Sequence, residues 1–175
     1  MNLCRLLFSL LLSLSGFTMA ADTKMIYGYV EKATLVDKNM VLSAKLDTGA
    51  KSASLSAIHI QEIEIKGTPF LRFKVPGKTE TVEFTSEYLG KVKIKARVGE
   101  NGTSAKSMPI KRPVVLMNVK IGDKVRKIHV NLTNRKRFNY PLLLGRDAII
   151  AFDGLVDPSH AFLIKSEKVE KNEVE

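Results

Sequence analysis

The sequence predicts a mainly β domain that closes into a small barrel and carries one short helix. After residue 25, short runs alternate apolar and polar residues, as strands with one buried face do. Only Arg146–Ala151 has a helical pattern, and it covers about two turns. The 175 residues suit a single domain, and a hydrophobic content of 45% excludes a disordered chain.

One predicted hairpin joins residues 61–66 to residues 70–75. The Gly-Thr-Pro sequence at 67–69 is typical of a three-residue loop between the two runs. This loop would place Glu64 opposite Arg72 and Ile63 opposite Phe73. Charged and apolar residues would then be matched across the pair, which supports the predicted register.

A second predicted hairpin has a shorter turn. Residues 114–121 and Lys124–Thr133 flank Gly122 and Asp123, a two-residue turn sequence. The remaining predicted strands are Met40–Leu46, residues 91–98, residues 141–144 and a closing strand at residues 161–165.

The first twenty residues have the pattern of a cleavable signal peptide. Arg5 is their only charge, and residues 6–14 form an almost unbroken apolar run. Thr18 and Ala20 supply the small residues expected before a cleavage site. We expect residues 1–20 to direct export to the periplasm, with an uncleaved N-terminal membrane anchor as the alternative.

The mature domain is then expected to span residues 21–165, followed by a charged, disordered tail at residues 166–175. Cleavage would remove Cys4, the single cysteine, which suits an oxidising compartment. The chain has 28 Lys and Arg against 18 Asp and Glu, a net charge of +10.

A candidate catalytic carboxylate lies at the end of the predicted strand Met40–Leu46. The strand runs directly into Asp47, Thr48, Gly49 and Ala50. A carboxylate at the end of a buried strand is costly unless donors or charges compensate it. Gly49 permits a sharp bend and a close approach of substrate, and the Thr48 hydroxyl can bond behind the carboxylate. An ordinary turn after a strand is the alternative interpretation.

A second motif follows far along the chain. Leu142 comes 95 residues after Asp47 and begins an apolar run that leads through Gly145 into the short helix. An apolar strand entering Asp-Thr-Gly-Ala, with a later apolar-apolar-Gly-Arg segment, resembles the retropepsin-like aspartic proteases. Further segments resemble one bacterial branch of that family, often labelled ATP-dependent zinc protease; they lie at residues 44–52, 111–114, 130–135, 142–146 and 155–158.

The resemblance implies a catalytic role for Asp47, Thr48 and Gly49. It also implies residues that bind substrate or support the catalytic loop: Ala50, Lys51, Leu144, Gly145, Arg146 and Asp147. Two carboxylates that share a proton would activate a water molecule to attack a peptide bond, with no covalent intermediate. Because the chain has one Asp-Thr-Gly, the second carboxylate should come from another copy in a homodimer.

One residue departs from the viral pattern. Retroviral members carry an acid directly after Asp-Thr-Gly-Ala, where this chain has Lys51. We expect that Asp147, next to Arg146, can pair with Lys51 instead. Residues 70–78 and 99–107 are both candidates for the loop that closes over the cleft.

The sequence favours chemistry without a metal, ATP or another cofactor. It contains no His-Glu-x-x-His zinc motif and no Gly-x-x-x-x-Gly-Lys-Ser/Thr phosphate loop. His59, His129 and His160 are far apart and have no metal-ligand spacing. We expect each histidine to be a surface or otherwise satisfied residue.

Basic residues support a second class of function. Residues 91–98 place Lys91, Lys93, Lys95 and Arg97 on one face, and residues 135–137 form a basic cluster. The alternative is therefore a non-catalytic module that holds an anionic polymer or envelope surface. Nucleic acid is not an expected partner, because no aromatic residues interleave the stripe. A solvated edge strand protected by lysines is the plainer interpretation.

Overall fold

The computed structural model describes residues 24–94 and 109–165. The expected signal peptide, the loop 99–107 and the tail 166–175 lie outside these residues. Along the described chain the elements are β1 (Met25–Gly28), β2 (Val30–Leu35), a 3-10 turn (Val36–Lys38), β3 (Met40–Leu46), β4 (Ala53–Ser56), β5 (Ile58–Ile65), β6 (Thr68–Pro76), β7 (Thr81–Ile94), β8 (Ile110–Ile121), β9 (Lys124–Thr133), β10 (Leu142–Leu144), α1 (Arg146–Ala151) and β11 (Gly154–Asp157).

Six strands close into a barrel, which confirms the predicted fold class. They follow the order β2-β3-β10-β4-β9-β8, and β8 pairs back with β2. The edge of β8 that pairs with β2 near its end pairs nearer its start with β7, which continues into β6 and β5, while β1 and β11 form a separate parallel pair. Alternation buries one face of the strands, so that Val115, Met117 and Val119 of β8 all enter the core.

The second predicted hairpin and the short helix are confirmed. Ile121 pairs with Lys124 across Gly122 and Asp123, and α1 has the predicted bounds. Strands β3 and β10 also form where expected, and the described part of residues 91–98 belongs to the longer β7.

The predicted register of the first hairpin is wrong. Ile65 pairs with Thr68, so the turn has two residues, Lys66 and Gly67. Both adopt positive φ angles, 51° and 78°, as the tight turn that suits a twisted hairpin requires. Glu64 therefore lies opposite Pro69 rather than Arg72.

The predicted closing strand at residues 161–165 does not form. Phe162 has a φ of 57°, which interrupts an extended backbone. The amides of Leu163 and Ile164 bond to the carboxylate of Glu31, a side chain fully buried on β2. The Glu31 side chain and a backbone bond from the amide of Phe162 to the carbonyl of Val30 at 2.7 Å together hold this segment to β2.

Among the described residues, no helix is long and apolar enough to span a membrane.

Candidate active site

The two motifs meet where β3 and β10 run side by side. Leu46 pairs with Leu144 in parallel register. The next residue, Asp47, then donates its amide hydrogen to the carbonyl oxygen of Leu144 at 2.9 Å. Parallel neighbours end at the same edge of the sheet, which brings Asp47 next to the start of α1.

Backbone donors hold the loop around Asp47. The amide of Gly49 donates to Asp47 Oδ1 at 3.0 Å, and the amide of Ala50 donates to the Asp47 carbonyl at 3.2 Å. Lys45 Nζ lies 3.7 Å from Asp47 Oδ2. The Asp47 side chain is 18% exposed, so its carboxylate is sheltered but reachable.

The start of α1 fixes the other end of the same loop. The amides of Arg146 and Asp147 donate to the carbonyls of Ala50 and Lys51 at 2.9 and 3.0 Å. Arg146 also donates its guanidinium to the carbonyl oxygen of Thr48 at 2.9 Å. Every residue that the sequence assigned to the site therefore lies in one bonded loop assembly.

Two expected side-chain contacts are not made. Among the described residues, Lys51 and Asp147 form no ion pair; they are joined through the backbone instead. Among the described residues the Thr48 hydroxyl does not bond to the Asp47 carboxylate, whose side-chain hydrogen bond comes from the Gly49 amide. Thr48 contributes its carbonyl oxygen, which accepts from Arg146.

A cleft of about 530 Å³ opens in front of Asp47. Asp47 is the one carboxylate among its described lining residues. Five cationic side chains also line the cleft: Lys45, Lys51, Lys93, Arg112 and Arg135. Cationic side chains therefore outnumber carboxylates among the described lining residues of the cleft.

Arg112, Asn131 and Arg135 line the cleft but were not assigned to the site from the sequence, although they lie in the segments 111–114 and 130–135 that carry the family resemblance. Asn131 is 2% exposed and lies between two apolar residues of β9. A polar amide at a predicted buried strand position needs hydrogen-bond partners, and this was the signal in the sequence that could have selected it. Arg135 was predicted as part of a basic cluster at residues 135–137; it is buried, and its side chain donates to the Tyr140 carbonyl at 3.0 Å. Its guanidinium lies 4.4 Å from the ring centre of Phe138.

The two candidate closing loops differ in their relation to the cleft. Three described residues that line the cleft flank the second candidate loop. Lys93 and Ile94 are the last two residues of β7, and Arg112 lies near the start of β8. None of the described lining residues comes from residues 70–78. The segment 99–107, which connects β7 to β8, lies outside the described residues.

The three histidines are all exposed on the surface. Among residues 24–94 and 109–165, no group of three or more His, Cys, Asp or Glu side chains could hold a metal ion. His160 instead lies 3.0 Å from Asp157.

The family model for the retropepsin-like aspartic endopeptidase RimB matches residues 26–167. The chain belongs to this RimB-like family. The match covers both motifs and the whole barrel, and it confirms the resemblance drawn from the sequence.

Known relatives of this RimB-like chain differ in name and length. Proteins called "Probable alpha-L-glutamate ligase" from Shewanella pealeana and Shewanella halifaxensis are each 26% identical over 145 residues, or 82% of this chain. This chain spans 31% of their length. A solved structure of Lpg0085 from Legionella pneumophila, of unknown function, is 64% identical with a TM-score of 0.72; the match covers 82% of this chain and all of that one.

Proposed function

We propose that this chain is an aspartic endopeptidase whose active site forms from two copies, each contributing Asp47. The observation that carries the proposal is the placement of the Asp47 carboxylate. It faces a peptide-sized cleft, accepts the Gly49 amide, and lies on a loop bonded to α1. Membership of the RimB-like family supports the same reaction class.

The reaction needs two carboxyl groups that share one proton. One carboxylate takes a proton from water, and the other, protonated, donates to the carbonyl oxygen of the peptide bond. The Gly49 amide orients Asp47 Oδ1, and the Lys45 ammonium lies near Oδ2. Asp47 is the one carboxylate among the described residues of the cleft, and the sequence contains one Asp-Thr-Gly, which supports a second chain as the source of its partner.

Exposed apolar residues support a homodimer. Ile26 and Leu155 are paired across β1 and β11, and each is 55% exposed. Ile150, on the helix that follows the catalytic loop, is 68% exposed. Exposed apolar side chains favour association, and the helix that carries Ile150 begins at the Asp47 loop.

The charge of the cleft supports an acidic peptide as substrate. Five cations around one carboxylate attract anionic side chains and repel basic ones. The curated relatives are called glutamate ligases, a name that concerns an acidic amino acid. With the signal peptide expected at residues 1–20, the substrate would be a periplasmic protein or peptide.

A non-catalytic binding module is the second candidate. The same five cations would hold an anionic polymer or an anionic envelope surface without cutting it. The two candidates differ in the role of Asp47, which catalysis requires and electrostatic binding does not.

The test is proteolysis of denatured casein and of a glutamate-rich peptide at mildly acidic pH. We expect wild type to cleave, and Asp47→Asn to be inactive with an unchanged fold. Asp123→Asn, an exposed carboxylate in the β8–β9 turn, serves as the matched control and should stay active. Activity in Asp47→Asn, or loss of wild-type activity with a chelator, would contradict the proposal.

A further inference from the structure

A second, smaller crevice lies where α1 meets β9. It has a volume of about 230 Å³ and is lined by residues of both elements and by Ser52, which precedes β4. Pockets for drug-sized ligands measure about 300–1,000 Å³, so this α1–β9 crevice suits a smaller molecule.

The α1–β9 crevice contains side chains of opposite charge. Asp147, near the start of α1, supplies a carboxylate, and Lys127 of β9 supplies an ammonium group. His129 follows Lys127 by two residues, and alternate residues of a strand project from the same face, so both lie on one side of β9. Among the described residues, none of these three side chains makes a hydrogen bond or an ion pair. All three can therefore bond to a ligand without losing a protein partner.

The rest of the lining adds a neutral donor and an apolar floor. The Ser52 hydroxyl accepts from the Asn131 side-chain nitrogen at 3.2 Å, and a hydroxyl that accepts still has its own hydrogen to donate. Ile128 and Ala148 are 5% and 2% exposed, and they supply apolar surface between the charged groups. The crevice thus offers an anionic group, a cationic group and a hydroxyl around a small apolar surface.

We propose that the α1–β9 crevice binds a small zwitterion of about dipeptide size. The Asp147 carboxylate accepts from the ammonium group of the ligand, and Lys127 donates to its carboxylate. A molecule that has only one of these charges leaves one charged group of the crevice without a partner, which favours the zwitterion. The site goes beyond the proposed function, because binding here requires no step of peptide hydrolysis and no contact with Asp47.

The α1–β9 crevice is joined to the catalytic loop. Ser52 lines both the crevice and the Asp47 cleft. The amide of Asp147 donates to the carbonyl of Lys51 at 3.0 Å, in the same loop. A ligand in the crevice therefore contacts residues that also hold the Asp47 loop, and its binding should alter the amide resonances of Lys51 and Ser52.

The test is a titration of the protein followed by amide chemical shifts in NMR spectra. The probe is the dipeptide alanylalanine. It is compared with N-acetyl-alanylalanine, which lacks the ammonium group, and with alanylalanine amide, which lacks the carboxylate. We expect alanylalanine to bind about tenfold more tightly than either, with shifts at Ser52, Ala148 and Ala151. Asp47→Asn should bind it as wild type does, so failure of the proposed reaction would leave this result unchanged.

Two variants and their matched controls assign the charges. Asp147→Asn should abolish the preference over the N-acetyl form, and Lys127→Gln should abolish the preference over the amide. Asp123→Asn and Lys74→Gln make the same charge changes at exposed positions outside the crevice, and both preferences should persist in them. Melting temperatures confirm that each variant is folded. Equal affinity for the three probes in wild type, no binding of alanylalanine, or equal losses in the variants and their controls would overturn the proposal.

Discussion

The amide of Asp47 donates a 2.9 Å hydrogen bond to the carbonyl oxygen of Leu144. This bond joins the end of β3 to the end of β10, the two strands that carry the separate sequence motifs. The following residues continue the contact, since the amide of Arg146 bonds to the carbonyl of Ala50. A change in either motif should therefore disturb the other.

Gly145→Ala should destabilise the fold. A Cβ at this position would lie 2.7 Å from backbone atoms of Lys51 and Ser52, which sit in the hydrogen-bonded loop and cannot easily move. The φ angle is −81°, so close approach and not backbone strain is the cause. We expect a loss of about 1–3 kcal/mol in the free energy of unfolding, measured with urea. Unchanged stability in Gly145→Ala would show that β10 and the Asp47 loop are not packed this closely.

Glu31→Gln should loosen the segment after β11. The Glu31 carboxylate accepts from the amides of Gly28, Leu163 and Ile164 at 2.7, 2.9 and 3.3 Å. A glutamine keeps one acceptor oxygen and turns an NH₂ group toward the remaining amide. We expect a cost of about 1–3 kcal/mol in unfolding, with faster hydrogen exchange at Leu163 and Ile164.

Glu87→Gln, on an exposed position of β7, is the control for Glu31→Gln and should change neither quantity. Wild-type exchange rates at Leu163 and Ile164 in Glu31→Gln would mean that the carboxylate does not hold this segment.

Asp153→Asn should lower stability at neutral pH but not in acid. Hydrogen bonds from Arg126 and Lys124 lower the pKa of Asp153 below its ordinary value of 3.8. A lowered folded-state pKa gives stability that is present above the ordinary value and is lost as pH falls through the folded value. The melting temperature of Asp153→Asn should therefore lie below that of wild type at pH 7 and converge with it as the pH falls below 3.8 and through the lower folded-state pKa.

Asp123→Asn is the control for Asp153→Asn, since Asp123 forms no ion pair among the described residues. If the difference in melting temperature between Asp153→Asn and wild type stays constant from pH 7 into acid, the lowered pKa of Asp153 does not contribute to stability.

Local signals in the sequence predicted much of the fold. The helix α1 and the β8–β9 hairpin have strong short-range patterns; the helix has the expected bounds and the hairpin the expected turn, while β8 begins at Ile110 rather than at residue 114. The β5–β6 register was missed because Lys66, not a residue typical of positive φ, begins the turn. The strand β2 was missed because Val30 and Glu31 are both buried, which breaks the alternation.

The cleft was predicted only in part, for a physical reason. Family resemblance located both the Asp-Thr-Gly loop and the apolar segment that enters α1. The pairing of β3 with β10 brings these two motifs together. The turn at Gly122 and Asp123 predicted the register of β8 with β9, but the predicted strand began at residue 114, so Arg112 was not placed beside Asn131. Arg135 was missed because its burial depends on its contacts with Tyr140 and Phe138.

The most direct test of the shared dyad is a mixing experiment. Wild type and Asp47→Asn are unfolded together, refolded at a fixed total concentration and assayed for peptide cleavage. If each active site needs Asp47 from both chains, activity follows the square of the wild-type fraction, so an equal mixture keeps about a quarter of the activity. Activity that falls in direct proportion to the wild-type fraction would contradict the account, because each chain would then carry a complete site.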